Sequence, residues 1–266
     1  MTLRTDSRAQ TRHGPIAQLL ISSSPLGMIL TLYVAAAWIS SPLERDLDAV
    51  NRVGRAVSVI GPVKGDMALF GDVPTVWLQA LVTGPLSAVL EVAAALVYVT
   101  HFAAIPLVTA VTWFRARERY LFWIIAVLVF TGIGVTGYVL YPAAPPWMAA
   151  ELGVIGPVER TSGAGWSHLA MPWVGAVIEG GQGLSNQVAA MPSLHAGATL
   201  LVTLFVWASV SGRWRWGLVG YVVVMAWALV HTGEHYVVDI LAGWLVAVAA
   251  VTGTSMLRLR RDATAP

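Results

Sequence analysis

Residues 231–257 read HTGEHYVVDILAGWLVAVAAVTGTSML. From Ile240 onward the stretch carries no charge for 18 residues, close to the roughly 20 apolar residues a helix needs to cross a bilayer. Just ahead of that run stand His231, His235 and Asp239. One segment thus joins a membrane span to a group of ionisable side chains at its mouth.

Five further stretches lie outward from it, at residues 25–43, 86–112, 120–141, 193–211 and 215–232, and residues 236–257 make the sixth. Composition agrees. The 266 residues are 57% hydrophobic and 11% charged, against about 25% charged in a soluble domain. So few charges do not cover a soluble globule, but they cover the two ends of a bundle whose sides face lipid. The expected fold is all-α: a polytopic membrane protein with six transmembrane helices in a bundle and interfacial helices in the outer loops. Residues 1–24 are expected to form a cytoplasmic tail, 25–257 the membrane domain and 258–266 a second cytoplasmic tail. The opening MTLRTDSRAQTRHG is polar and basic, without the short apolar run and cleavage site of a signal peptide. The chain has no cysteine, which excludes disulfides, thiolate zinc sites and cysteine nucleophiles. The net charge of +2 is spread over short basic clusters, and no nucleic-acid partner is expected.

Arginine and lysine set the orientation. With the N-terminus inside, 11 of the 16 basic residues are cytoplasmic: Arg4, Arg8, Arg12, Arg115, Arg117, Arg119, Arg213, Arg215, Arg258, Arg260 and Arg261. The much longer outer loops hold Arg45, Arg52, Arg55, Lys64 and Arg160. Both termini are therefore expected inside. In the first long outer loop Leu47, Val50, Val53, Val57 and Ile60 recur at helical spacing, the pattern of an amphipathic helix lying in the interface. The second, residues 142–192, is rich in Pro and Gly, and proline in YPAAPPW (141–147) ends the third span.

The segment MPSLHAG (191–197) puts Ser193 and His195 at the mouth of the fourth span, on the same outer side as His231, His235 and Asp239. His235 and Asp239 are four apart and share one helix face. An aspartate entering a span is expensive and needs a partner, and His235 is the one at hand. A carboxylate fixing one imidazole nitrogen leaves the other free to attack or to accept a proton. His195 then stands where an acid protonating a leaving oxygen is needed. The pair also fits a plain buried structural contact. Metal binding by His231, His235 and Asp239 would spread three ligands over about 12 Å of straight helix, long for one ion.

PSLHAG, followed some forty residues later by TGEHYVVDILAG, resembles the second and third signature motifs of the type 2 phosphatidic acid phosphatase superfamily. YPAAPPW, AAMPSLHAG and YVTHFAAIPL are similar to the branch that includes inositol phosphorylceramide synthases and their bacterial relatives, over roughly residues 86–250. The resemblance implies a six-helix bundle with its site near the outer interface. It implies that His235 forms a phosphohistidine, that Asp239 is its carboxylate partner and that His195 protonates the leaving group. Ser193 and nearby amides would hold phosphate oxygens, with no metal and no cofactor. Two departures stand out. GYVLYPAAPPWM lacks the lysine and arginine usual in the first motif, and Leu229 stands where the third motif usually has an arginine. A phosphate site without cations is hard to hold, so His231, Arg52, Arg55, Lys64 and Arg160 become candidates to supply charge. Trp147 is expected at the interface, bordering lipid entry; Trp166 reads as a plain anchor. Glu91 and His101 lie within the second span; an intramembrane carboxylate such as Glu91 is a functional candidate or a hydrogen-bond partner for a loop, and His101 reads as a packing or hydrogen-bonding residue.

The expected function is hydrolysis or transfer of a lipid-linked phosphate or phosphodiester at the outer face of the plasma membrane. The partners are a lipid phosphate or phospholipid, the bilayer and, for transfer, an alcohol acceptor. The alternative is a transporter or scaffold on the same fold, which would want ionisable groups along a midplane path.

Overall fold

The computed structural model describes residues 14–42 and 46–264. Arg4, Arg8, Arg12 and Arg45, with most of the expected N-terminal tail, lie outside the described residues. In chain order the helices are α1 (Pro15–Ser22), α2 (Ser24–Ser40), α3 (Ile60–Phe70), α4 (Pro74–Leu81), α5 (Pro85–Arg115), α6 (Arg117–Leu140), α7 (Pro146–Glu151), α8 (Gly165–His168), α9 (Pro172–Leu184), α10 (Leu194–Val206), α11 (Arg213–His231) and α12 (Val237–Thr264). A short 3₁₀ turn, Trp207–Ser209, extends α10. Among the described residues there are isolated β-bridges but no named strand.

Proline opens many of these helices, including α4, α5, α7 and α9. Its missing N–H costs nothing there, because a first-turn amide has no intrahelical partner. Four helices are long and apolar enough to cross a bilayer: α5, α6, α11 and the Val237–Met256 part of α12. The α1–α2 pair, bent by 50°, makes a fifth if counted as one span. Leu194–Ser209 is apolar but shorter. Large apolar side chains such as Leu107, Leu121 and Leu245 point outward, Leu245 with 70% of its surface exposed. That exposure is intolerable in water and ordinary against lipid tails. The protein is an integral membrane protein with an all-helical fold.

Three clusters of core hold the bundle, one of them joining Tyr98, Ala196, Met225, Leu229 and Ile240 between α5, α10, α11 and α12. A second packs Trp113, Trp123, Phe130, Leu201 and Phe205 between α5, α6 and α10, with Trp123 Nε1 donating to Thr109 Oγ1 at 2.8 Å. The third lies under the long loops and gathers Val57, Val63, Trp147, Met148, Val188 and Tyr236. Both long loops and the α11–α12 turn meet at this end. Gln79 of α4 ties them, donating to the carbonyls of Glu159 and His231 at 2.9 and 2.8 Å.

Residues 47–60 do not form the expected amphipathic helix. They are turns, with isolated bridges from Val50 to Ala56 and from Ser58 to Ala143, and α3 starts only at Ile60. Leu47, Val50 and Val53 are exposed. Asn51 is the cause: its side-chain oxygen takes the amides of Val53 and Arg55, and so competes with helical pairing. The helices of this loop are α3 and α4.

Candidate active site

Two motif helices meet backbone to backbone. A Cβ added at Gly197 of α10 would lie 2.7 Å from the Gly243 carbonyl of α12 and 2.6 Å from Phe130 Cε2, and one at Gly243 would run into the Ser193 carbonyl. Small residues permit this approach, the usual way helices pack in lipid. The junction is pinned where the Ser193 amide donates to the Asp239 carbonyl at 2.9 Å. The result is that His195 Nδ1 sits 3.2 Å from His235 Nε2.

His235 is buried, and its Nδ1 donates to the Ala190 carbonyl at 3.0 Å. Asp239 Oδ2 lies 3.6 Å from the same nitrogen and accepts the Tyr236 amide at 2.9 Å. A carbonyl only accepts, so the proton is assigned to Nδ1 and Nε2 is left with an unprotonated lone pair. His195 Nδ1–H is the donor that meets it.

The proline motif positions that carbonyl. Ala143 bridges Ser58 on one side and Ala189 on the other, and its own carbonyl accepts the Ala190 amide at 3.2 Å. YPAAPPW is therefore an extended rail that fixes the strip ahead of Ser193. The Met191–Pro192 peptide in that strip is cis. Asp66 of α3 does the same for the other motif: its two carboxylate oxygens accept the amides of Val237 and Val238, both at 3.0 Å. It thereby caps α12 from another element. Burial pushes the Asp66 carboxyl above the usual carboxylate range, while these two amide bonds pull it back.

Above His195 and His235 opens a cavity of about 610 Å³. Trp147, Arg160, Gln182, Asn186 and Glu234 line it. Arg160 forms a two-pronged pair with Glu234, both contacts at 2.9 Å, and lies 5.1 Å from the Trp147 ring centroid. Ser162 and Gln182 also donate to Glu234, at 2.6 and 2.8 Å. Gln182 Oε1, Asn186 Nδ2 and Trp147 Nε1 are buried without a hydrogen-bond partner.

The sequence-predicted residues are thus divided. His195, His235 and Trp147 line the cavity, and Asp239 lies directly behind His235. Ser193 is fully buried; its hydroxyl accepts the Ala196 amide and caps α10. His231 stacks on Trp227 and faces a different, polar cavity beside Gln79 and Glu91. Arg52 donates to the Trp38 and Ser41 carbonyls and lies over the Trp38 ring. Arg55 and Lys64 are exposed, and neither they nor Arg52 line this cavity. Glu91 pairs with His168 at 2.9 Å, and Trp166 is buried rather than at the surface. Sequence reasoning passed over Glu234, although it stands inside the third motif, and Asp66, whose only signal is an acid in an apolar loop helix.

Comparison with known proteins places this geometry. A phosphoinositol dihydroceramide synthase of Bacteroides thetaiotaomicron is 32% identical over 136 residues, which is 48% of this chain and 43% of that protein. The inositol phosphorylceramide synthase catalytic subunit aur1 of Schizosaccharomyces pombe is 30% identical over 129 residues, 47% of this chain and 30% of that protein. The chain thus matches less than half the length of either relative. No solved structure matches it. Residues 66–253, from the α12-capping aspartate past both histidine motifs, fit the model of the PAP2 superfamily. The chain belongs to the PAP2 superfamily.

Proposed function

We propose that the protein is a membrane-embedded phosphotransferase that moves a phosphorylated headgroup from one lipid to an alcohol acceptor through a phosphohistidine at His235. The observation that carries the reading is the unprotonated Nε2 of a buried histidine, fixed at Nδ1 by Ala190 and Asp239 and faced at 3.2 Å by a second histidine.

In the first half-reaction His235 Nε2 attacks phosphorus and the bond from phosphorus to the diradylglycerol oxygen breaks. His195, entering as its imidazolium, gives the Nδ1 proton to that oxygen. Asp239 stabilises the positive charge that develops on His235. Arg160 is the cation nearest the phosphate; Glu234 holds its guanidinium with one face on Trp147. In this chain it takes the part of the arginine that Leu229 replaces. The unpaired Gln182, Asn186 and Trp147 atoms offer an acceptor and two donors to a hydroxylated headgroup, consistent with the phosphoinositol named for one relative. In the second half-reaction an alcohol takes the phosphoryl group. Water in its place makes a phosphatase from the same intermediate, and the relatives' names favour transfer.

The accompanying topology has six spans, with α1–α2 and Leu194–Ser209 counted among them. Both termini are cytoplasmic and the active site is at the outer face of the plasma membrane. The distribution of arginine supports it. Clustering of polar side chains at one end of the bundle speaks against a midplane transport path.

The test is product analysis with purified protein, a phosphoinositol lipid and a lipid alcohol. A new headgroup-bearing lipid is expected, abolished by His235→Ala. Release of free headgroup phosphate alone would refute transfer, and turnover by His235→Ala would refute the nucleophile.

A further inference from the structure

His195 borders two cavities. The first is the polar one described above. The second, about 640 Å³, lies between α1–α2, α5, α6 and α10 and is walled by Leu26, Ile105, Val127, Phe130 and Leu194. The two share Tyr33, Phe102, Tyr138 and His195. Leu20 and Leu30 on the rim of the second are 68% and 64% exposed, so this cavity opens sideways to lipid. From His101 to Ala110, both in its wall, α5 advances nine residues, about 13 Å at 1.5 Å per residue. That is room for a long alkyl chain lying along the helix.

His101 lines this channel and not the first cavity; the hydroxyl-bearing Ser23, Thr109 and Thr131 also stand in its largely apolar wall. His101 Nδ1 contacts the carbonyl of Tyr98, one turn back, at 2.5 Å. A carbonyl only accepts, so Nδ1 carries the proton and Nε2 presents a lone pair, which has no hydrogen-bond partner among the described residues. The His101 ring stands edge-on to His195, with centroids 4.2 Å apart. His101 Nε2 thus offers an acceptor to a largely apolar channel beside the catalytic pair, which suits a long-chain lipid bearing a hydroxyl better than a chain alone.

We propose that the second cavity receives the acceptor, a long-chain lipid alcohol entering sideways from the bilayer, and that His101 binds its hydroxyl and takes its proton. The inference rests on the transferase reading. The acceptor oxygen forms a bond to phosphorus, the phosphorus–Nε2 bond of His235 breaks, and the hydroxyl proton moves along its hydrogen bond to Nε2 of His101. His101 then returns the proton to its neighbour His195, which lost one to the leaving diradylglycerol, and both rings are reset. Donor and acceptor thus approach the histidine pair from different sides. That arrangement serves a transferase, and a phosphatase has no use for it.

The experiment follows one turnover with a headgroup-labelled phosphoinositol lipid and a series of lipid alcohols of graded chain length. It measures new lipid formed per diradylglycerol released. His101→Ala is expected to lower that ratio at least tenfold, and His101→Gln, which keeps an acceptor, to restore part of it. Ala110→Phe, filling the far end of the channel, is expected to shift preference toward shorter-chain acceptors. A ratio unchanged in His101→Ala, with both products falling together or neither falling, overturns the assignment, as does an unshifted chain-length profile in Ala110→Phe. A wild-type protein that releases headgroup phosphate and makes no new lipid overturns the transferase reading itself, and this inference with it.

Discussion

Gly197→Ala tests how closely the chemistry depends on the α10–α12 contact. The added methyl would sit 2.7 Å from the Gly243 carbonyl, where ordinary contact begins at 3.4 Å, so the helices must part by the difference, 0.7 Å. The Phe130 ring, fully packed in the core, closes the other direction at 2.6 Å. His195 is two residues away on the same helix, so its separation from His235 widens from 3.2 Å beyond the roughly 2.6–3.2 Å reach of proton transfer. A misplacement of about 1 Å costs about 100-fold in rate, and 0.7 Å is worth on the order of 20-fold on the same scale. Overpacking should also cost about 1–3 kcal/mol of stability. The assay is headgroup transfer per folded enzyme in mixed micelles, with thermal unfolding measured in parallel. Gly253→Ala is the control: it lies on α12, where a Cβ meets nothing within 4 Å. A Gly197→Ala enzyme with wild-type rate and melting temperature would refute the argument that this contact sets the histidine geometry.

Asp239→Asn is expected to lower turnover by roughly 10²–10³-fold, less than the ~10⁴-fold seen when a triad loses the group that fixes its tautomer, because the Ala190 carbonyl still holds Nδ1–H; single-turnover kinetics measure it. Arg160→Ala should raise the KM for the phosphodiester and cost about 2–4 kcal/mol of stability by stranding Glu234, somewhat under a fully enclosed pair since the Arg160 side chain is 25% exposed. Asp66→Asn keeps one acceptor for two amides and should cost about 1–3 kcal/mol. It should also change the pH profile of melting. Burial raises the Asp66 carboxyl in the fold, so the folded state holds its proton longer, and the wild type loses stability as pH rises from 3.8 through the folded value. Thermal melts of wild type and variant across that window should converge if Asp66 is the source and stay parallel if it is not.

Spacing made part of this legible in the sequence. The His235–Asp239 pair was readable because four residues make one helical turn and a further half-step, and the two motifs sat at the same ends of apolar runs. The long spans were readable from apolar length alone. Contacts between distant segments were not. Ala190 offers a backbone carbonyl, which no residue type announces. Arg160 was one of several loop cations until the fold set it above His235 and left Arg52 on Trp38. His231 shares a motif with His235 but ends α11 facing a different cavity. His101 read as a packing or hydrogen-bonding residue because nothing in its own helix points to His195. The heptad-like run at 47–60 misled because the Asn51 side chain satisfies amides that a helix would have needed for itself.

The most direct test of the central claim is to quench the protein during turnover with a phosphoinositol lipid and locate the covalent adduct by mass spectrometry. The account predicts a headgroup-phosphate adduct on His235, labile to acid, that forms at the rate of diradylglycerol release and disappears when the lipid alcohol is added. Turnover with no adduct on His235, or an adduct on another residue that persists in His235→Ala, would contradict it.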